Sequence, residues 1–272
     1  MPSALILSLL LFIVTAQSAF GGQKGTWREH VDLVMRSVED LNQKGAGSTL
    51  ARLRDASSWE WPGSFYTEHE GSRCSATLIG PTALLLAAQC IPDGGEVVIE
   101  FRGLRRPGTC KHSESTAIGD QTDFALCSLF APIEGIQFDT VNLNSARITR
   151  GTEVLISSFS GCPRSPIDRP TEARFRISEA VVVSLPREGP QNPNSIIVRG
   201  NTGVCPGDGG GIAYIALASK RRLVVGVNYR SDKGESYISS LSTQNGQAFL
   251  KRWTEKVGAS VCGVNYEGSS CR

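Results

Sequence analysis

Short β-prone runs, punctuated by Gly, Pro, Asn and Asp, dominate the middle of this chain. Glu96-Val97-Val98-Ile99-Glu100-Phe101, Glu153-Val154-Leu155-Ile156, Ala180-Val181-Val182-Val183, Ser195-Ile196-Ile197-Val198 and Leu223-Val224-Val225-Gly226-Val227 each fit a strand. With turn residues between them, they predict an all-β sandwich or barrel. The texture differs at both ends. Thr26-Trp27-Arg28-Glu29 fits a capping box; Trp27, Val31, Val34, Val38 and Leu41 then recur at helical spacing, and Gly45 stops the run. Near the C-terminus Phe249, Leu250, Trp253 and Val257, following Ser242-Thr243, mark one apolar face of a second helix.

The apolar stretch Ala4 to Val14 is followed by small residues (Thr15-Ala16-Gln17-Ser18-Ala19), the pattern of a cleaved secretory signal, with Ala16, Ala19 and Gly21 as chemically suitable cleavage points. It is too short for a typical spanning helix of about 20 apolar residues. Export predicts an extracellular protein, or a periplasmic one in a bacterium, with no membrane span after cleavage. The chain has 272 residues, enough for one or two domains, and 28 basic against 26 acidic side chains. A formal charge of +2 does not announce nucleic acid or an anionic membrane as the main partner. Two local runs, Arg102, Arg105, Arg106 and Lys220, Arg221, Arg222, are either solvated faces or polyanion contacts. Eight cysteines in an exported chain read as four disulfides. Without a Cys-x2-Cys pair and with only three His residues, no metal site is expected, and no cofactor is implied.

Two cysteine-anchored segments carry the chemistry. Cys74-Ser75-Ala76-Thr77-Leu78-Ile79 leads through Leu84-Leu85-Leu86-Ala87-Ala88-Gln89-Cys90, and Cys205 precedes Gly207-Asp208-Gly209-Gly210-Gly211. Between them lies Thr122-Asp123-Phe124-Ala125-Leu126. In this order the three segments resemble the chymotrypsin/trypsin-like serine protease family over about 200 residues, from near Trp59 to near Lys256. The resemblance implies two antiparallel β-barrels packed side by side, with the site in the cleft between them. It also implies that Gln89 stands where the family carries its catalytic histidine, Gly209 where it carries the nucleophilic serine, and Asp123 where it carries the orienting aspartate. An amide side chain has no useful basicity near neutral pH, and glycine offers no oxygen, so neither general base nor nucleophile remains. The backbone amides of Gly207 and Gly209 correspond to the family's oxyanion hole and could still bind a carbonyl or small anion.

Other parts of the family pattern are altered as well. Gly203 falls at the base of the primary pocket, Val227-Asn228-Tyr229-Arg230 resembles the strand lining it, with Arg230 replacing a glycine at the entrance, and Glu235 is either a pocket group or a surface-loop carboxylate. No activation sequence precedes Trp61-Pro62, so Asp208 lacks the new N-terminal amine that its counterpart pairs with in activated relatives. The resemblance implies a Cys74–Cys90 disulfide; proximity pairs Cys110 with Cys127 and Cys262 with Cys271, which leaves Cys162 for Cys205. His30 lies in the first helix, while His69 and His112 are expected on exposed loops away from catalysis.

The expected organisation is a signal at 1–19, a helical segment and linker at 20–56, a protease-homology domain at 57–256, and a disulfide-closed tail at 257–272. The expected protein is a secreted pseudoprotease that binds an extracellular protein or peptide as decoy, inhibitor or cofactor. An enzyme with residual or unusual hydrolytic chemistry and a polyanion-binding surface module are the alternatives.

Overall fold

The computed structural model describes residues 54–55, 61–70, 72–113, 122–159, 175–188, 194–200, 209–217, 221–232 and 234–272. The signal segment, the expected helix beginning at Thr26, and the Cys162–Cys205 pair lie outside these residues. Among those described, the strands are β1 (Arg54–Asp55), β2 (Ser64–His69), β3 (Ser72–Leu78), β4 (Ala83–Leu86), β5 (Glu96–Phe101), β6 (Leu104–His112), β7 (Ala125–Leu129), β8 (Thr140–Val141), β9 (Glu153–Ser158), β10 (Arg176–Ser184), β11 (Ser195–Arg199), β12 (Ile212–Ala216), β13 (Arg222–Asp232) and β14 (Glu235–Ser240). One helix, α1 (Gln244–Val257), follows.

Alternation of apolar and polar residues sets the faces of these strands. In β5, Val97 and Ile99 point inward while Glu96 and Glu100 face water. The first barrel runs β2-β3-β4-β7-β6-β5, antiparallel throughout, and β5 returns alongside β2. In the second, β9 pairs with both β10 and β12, which closes the ring β9-β10-β11-β14-β13-β12. Val154, Ile156, Val182, Val198, Val225 and Ile238 fill that ring. β1 adds to β10, and β8 joins β13 in parallel.

The Thr243 side chain caps α1 by accepting from the Gly246 N–H at 3.2 Å, and Gly258, at φ 67, ends the helix in the left-handed region. Phe249, Leu250 and Trp253 are buried as the periodicity predicts, but Val257 is 40% exposed. The packed face therefore stops one turn short of the sequence pattern.

Three of the expected disulfides are present: Cys74–Cys90, Cys110–Cys127 and Cys262–Cys271. Cys110 and Cys127 face each other directly across β6 and β7. The tail closed by Cys262–Cys271 is hydrogen-bonded to the body: the Cys262 N–H donates to Ile79 O at 2.8 Å, and the Phe138 N–H to Ser270 O at 2.7 Å. Its final side chain, Arg272, is buried against Asp139.

Arg222 departs from the sequence expectation. Its guanidinium lies 3.4 Å from the centre of the Trp61 ring, and its Nε donates to Asp139 Oδ1 at 3.1 Å. It is a structural cation at the junction of the barrels and is not available to a polyanion. Arg221 remains exposed, and Lys220 lies outside the described residues.

Candidate functional site

Gln89 sits in a 3-10 turn, Ala88–Cys90, held at one end by the Cys74–Cys90 disulfide. Its backbone N–H donates to Asp123 Oδ1 at 3.3 Å, and its side-chain Nε2 donates to Tyr229 O at 2.6 Å. The side chain thus bridges from the first barrel to the edge of β13 in the second. A Cβ built on Gly209 would lie 3.0 Å from the same Nε2 and 3.9 Å from both Cys74 Sγ and Cys90 Sγ. Gln89, Asp123 and Gly209, far apart in sequence, therefore meet at one place.

The glycine loop separates two requirements. At Gly210 φ is +84°, and a Cβ would fall 2.1 Å from Ser75 O, so only glycine fits. Gly209 has no positive φ, and its nearest obstacle is the end of a flexible side chain. The backbone accepts a side chain at 209. The fold itself does not demand glycine there. Hydrogen bonds from Ser75 N–H to Gly209 O (3.0 Å), Gly210 N–H to Asn228 O (3.0 Å) and Asn228 N–H to Gly211 O (2.7 Å) tie the loop to both barrels.

Asp123 donates its N–H to Ser239 Oγ at 2.9 Å. Burial raises its carboxyl pKa above the ordinary value; backbone N–H groups of Gln89 and Ala88, and the charge of His112, work against that shift. Gln89 carries an uncharged amide, so it offers this carboxylate no cation to offset its desolvation. A folded-state pKa above the unfolded value means a contribution to stability that is present below the ordinary carboxylate range and lost as pH rises through the folded pKa. Asp123→Asn is accordingly expected to raise Tm by a few degrees at pH 7, a gain that closes as the pH is lowered towards 3.8, the carboxyl's ordinary value. Thermal unfolding of both proteins across that range measures it.

No protein-family model matches the chain, and no curated protein matches it. Solved structures do. A structure of human heparin binding protein aligns with a TM-score of 0.57 at 20% identity, covering 75% of this chain and 94% of that chain. A second, at atomic resolution, gives 0.56 at 20%, covering 79% and 97%. A double mutant of human heparin binding protein gives 0.57 at 20%, covering 75% and 95%. The fold is chymotrypsin-like. At this identity the likeness concerns architecture; the chemistry is argued from the residues of this chain.

Within the chymotrypsin-like fold, Tyr229 and Arg230 stand on β13 beside Gln89, next to a register shift between Asn228 and Arg230. Arg230 is exposed and stacks over the Tyr237 ring at 5.1 Å. The Tyr229 hydroxyl shares a hydrogen bond with Ser195 Oγ at 2.8 Å, and burial raises its pKa. Asn228 is fully buried behind the loop. Glu235 does not sit in a loop: it opens β14 and pairs with Arg199 on neighbouring β11, its cross-strand partner. Gly203, Gly207 and Asp208 lie outside the described residues.

Two imidazoles are also placed differently from the sequence reading. His69 ends β2, and His112 ends β6. His112 Nε2 is 2.6 Å from Ile91 O, and the residue's backbone N–H donates to Asp93 Oδ1 at 2.8 Å. Its ring is thus held against a neighbouring carbonyl, although its charge reaches Asp123. Ser195 and Ser239, which complete the surroundings of Tyr229 and Asp123, carry no signal in the sequence that marks them out.

Proposed function

We propose that this protein is a catalytically silent, secreted protease homologue that uses the cleft between its barrels to bind a protein or peptide. The observation that carries this reading is Gln89, whose backbone N–H donates to Asp123 while its side-chain amide donates to the Tyr229 carbonyl and faces a glycine where a nucleophile would stand. An amide in that position can neither take nor return a proton, yet it preorganises donors and acceptors along the cleft wall. The exposed Arg230 beside it favours an acidic or carbonyl-rich occupant. Disulfides throughout the described fold agree with an oxidising, extracellular setting.

The test combines broad peptide libraries and a serine-reactive phosphonate probe with peptide display on the immobilised protein. We expect no turnover, no labelling, and selected peptides whose affinity falls at least about tenfold, about 1.4 kcal/mol, with Arg230→Glu. Robust hydrolysis, or selected binding indifferent to Arg230, would overturn the reading.

A second reading rests on the arginines of the first barrel. Arg102 and Arg105 are exposed at the β5–β6 hairpin and make no ion pair among the described residues, while Arg106 is half-buried on the opposite face, paired with Ile99 in the strand register. The neighbours at 20% identity are named for heparin binding. We infer that this hairpin is the anion-binding face, since Arg222 is committed to Asp139.

A further inference from the structure

We propose that one end of the second barrel binds a carboxylate carried on a small apolar body, at a site separate from the cleft around Gln89. β9 starts, β10 ends, β11 starts and β14 ends on the same side of this antiparallel ring. A cavity of about 390 Å³ lies there, and the mouths of β-barrels are a recurrent place for small-molecule sites. Ile148 and Ile196, both buried in the barrel core, and Leu185, packed against that core, give the cavity an apolar lining. Strand alternation separates it from the cleft. Ser195 and Ser239 face Tyr229 and Asp123, whereas their chain neighbours Ile196 and Ser240 line the cavity on the opposite side of the sheet.

The polar groups at this cavity offer protons and positive charge. Ser240 and Ser242 line it and are buried, and their hydroxyls share one hydrogen bond of 3.1 Å. Each hydroxyl carries a proton, so one proton of the pair has no acceptor among the described residues. Their carbonyls are already occupied, Ser240 O by the Thr243 hydroxyl and Ser242 O by Gln247 Nε2. Thr243 and Gln244 bring the start of α1 to the cavity, and no acidic residue in the first turn offsets the positive end of the helix dipole. Arg187 stands at the rim, exposed and without an ion pair among the described residues. It is the third residue of the turn Leu185-Pro186-Arg187-Glu188, at φ 69, which the Glu188 N–H closes by donating to Leu185 O at 3.2 Å. Proline followed by a left-handed residue fits a type II turn, which favours glycine where Arg187 stands. An arginine held there is a backbone outlier of the kind that clusters at ligand sites. Glu188 does not neutralise it, because that carboxylate accepts from the Leu185 N–H at 2.7 Å and from Arg150 Nε at 3.1 Å. No Asp or Glu lines the cavity among the described residues. One guanidinium, a helix N-terminus and a spare hydroxyl proton beside apolar walls suit a monoanion, and a carboxylate matches the planar fork of the guanidinium. The volume restricts the apolar body to a short chain or a single ring; a long sulfated chain fits neither that volume nor that lining.

Calorimetric titration of the full chain tests this, with octanoate against octanamide and a short apolar peptide with a free C-terminus against its amidated form. At least one carboxylate is expected to bind, at least about tenfold more tightly than its amide. Arg187→Gly keeps a residue suited to the turn while removing the charge, and it should weaken that carboxylate at least about tenfold. Thermal unfolding checks that the variant is folded. Arg230→Glu, directed at the cleft, should leave carboxylate binding at the barrel end unchanged, so failure of this proposal is distinguishable from failure of the cleft reading. Binding of octanoate alone assigns the site to a free acid, and binding of the free peptide alone assigns it to a chain terminus; both support the carboxylate chemistry. Equal affinity for acid and amide, binding indifferent to Arg187→Gly, loss of binding with Arg230→Glu, or no binding of either carboxylate overturns the proposal.

Discussion

Asp139→Ala is expected to destabilise the protein by about 3–5 kcal/mol. The carboxylate is fully buried and accepts from Arg272 Nε at 2.6 Å, Arg222 Nε at 3.1 Å and the Tyr214 hydroxyl at 2.9 Å. Removing it leaves two buried guanidiniums without their anion, one lying against Trp61 and the other carried by the tail. Breaking such a cluster costs far more than the cluster contributes relative to an apolar replacement, because the surviving charges remain desolvated. Burial works to raise the Asp139 pKa, but Arg222 and Arg272 together outweigh it and hold the carboxyl below its ordinary value. Its stabilising contribution is therefore present above the ordinary carboxylate range and lost as pH falls through the depressed folded value. Urea unfolding of the two proteins at pH 7 and under acid conditions measures both effects. A loss below about 1 kcal/mol, the scale of an exposed pair, would show that the cluster carries no such load.

Gln89→His combined with Gly209→Ser is expected to create serine reactivity at position 209. The structural conditions are present. Gly209 has a φ that accepts a side chain, its Cβ direction leads to the end of residue 89 at 3.0 Å, and Asp123 lies behind that residue, hydrogen-bonded to its backbone. Members of such a unit act together, so each single variant should stay near background while the pair gains on the order of 10³-fold or more in phosphonate labelling. Mass spectrometry should locate the adduct on the new serine. Labelling by the parent or by Gln89→His alone would refute the assignment of residue 209. A silent double variant with an unchanged melting profile would show that the alignment of the three positions is not productive.

Some of this architecture was legible because local pattern and tertiary role coincide. β5 occupies the predicted run from Glu96 to Phe101, and the runs at 153, 180, 195 and 223 all fall inside strands. Others were hidden. β6 contains Pro107 and begins with Leu-Arg-Arg, so it reads as a loop; it becomes a strand because it lies between β5 and β7 and is joined to β7 through Cys110–Cys127. β4, Ala83–Leu86, is a short apolar run without alternation, which periodicity does not distinguish from buried helix.

At the site, the cysteine-flanked motifs identify Gln89 and Gly209 because the disulfide and the glycine turn impose local sequence requirements. The hydrogen bond from Gln89 to Tyr229 joins residues 140 positions apart, and nothing local to either residue announces it. The same holds for charge. In sequence, Arg222 is one of three consecutive basic residues, and Asp139 is an isolated acid; only the closing of the second barrel and the return of the tail bring Asp139, Arg222 and Arg272 together. By itself the chain determines which side chains are available and which short segments must be strands or turns, because those constraints act between near neighbours. Which charges are buried, which arginines are exposed, and what the Gln89 amide faces were decided by tertiary packing, since each depends on contacts between residues that the chain keeps far apart.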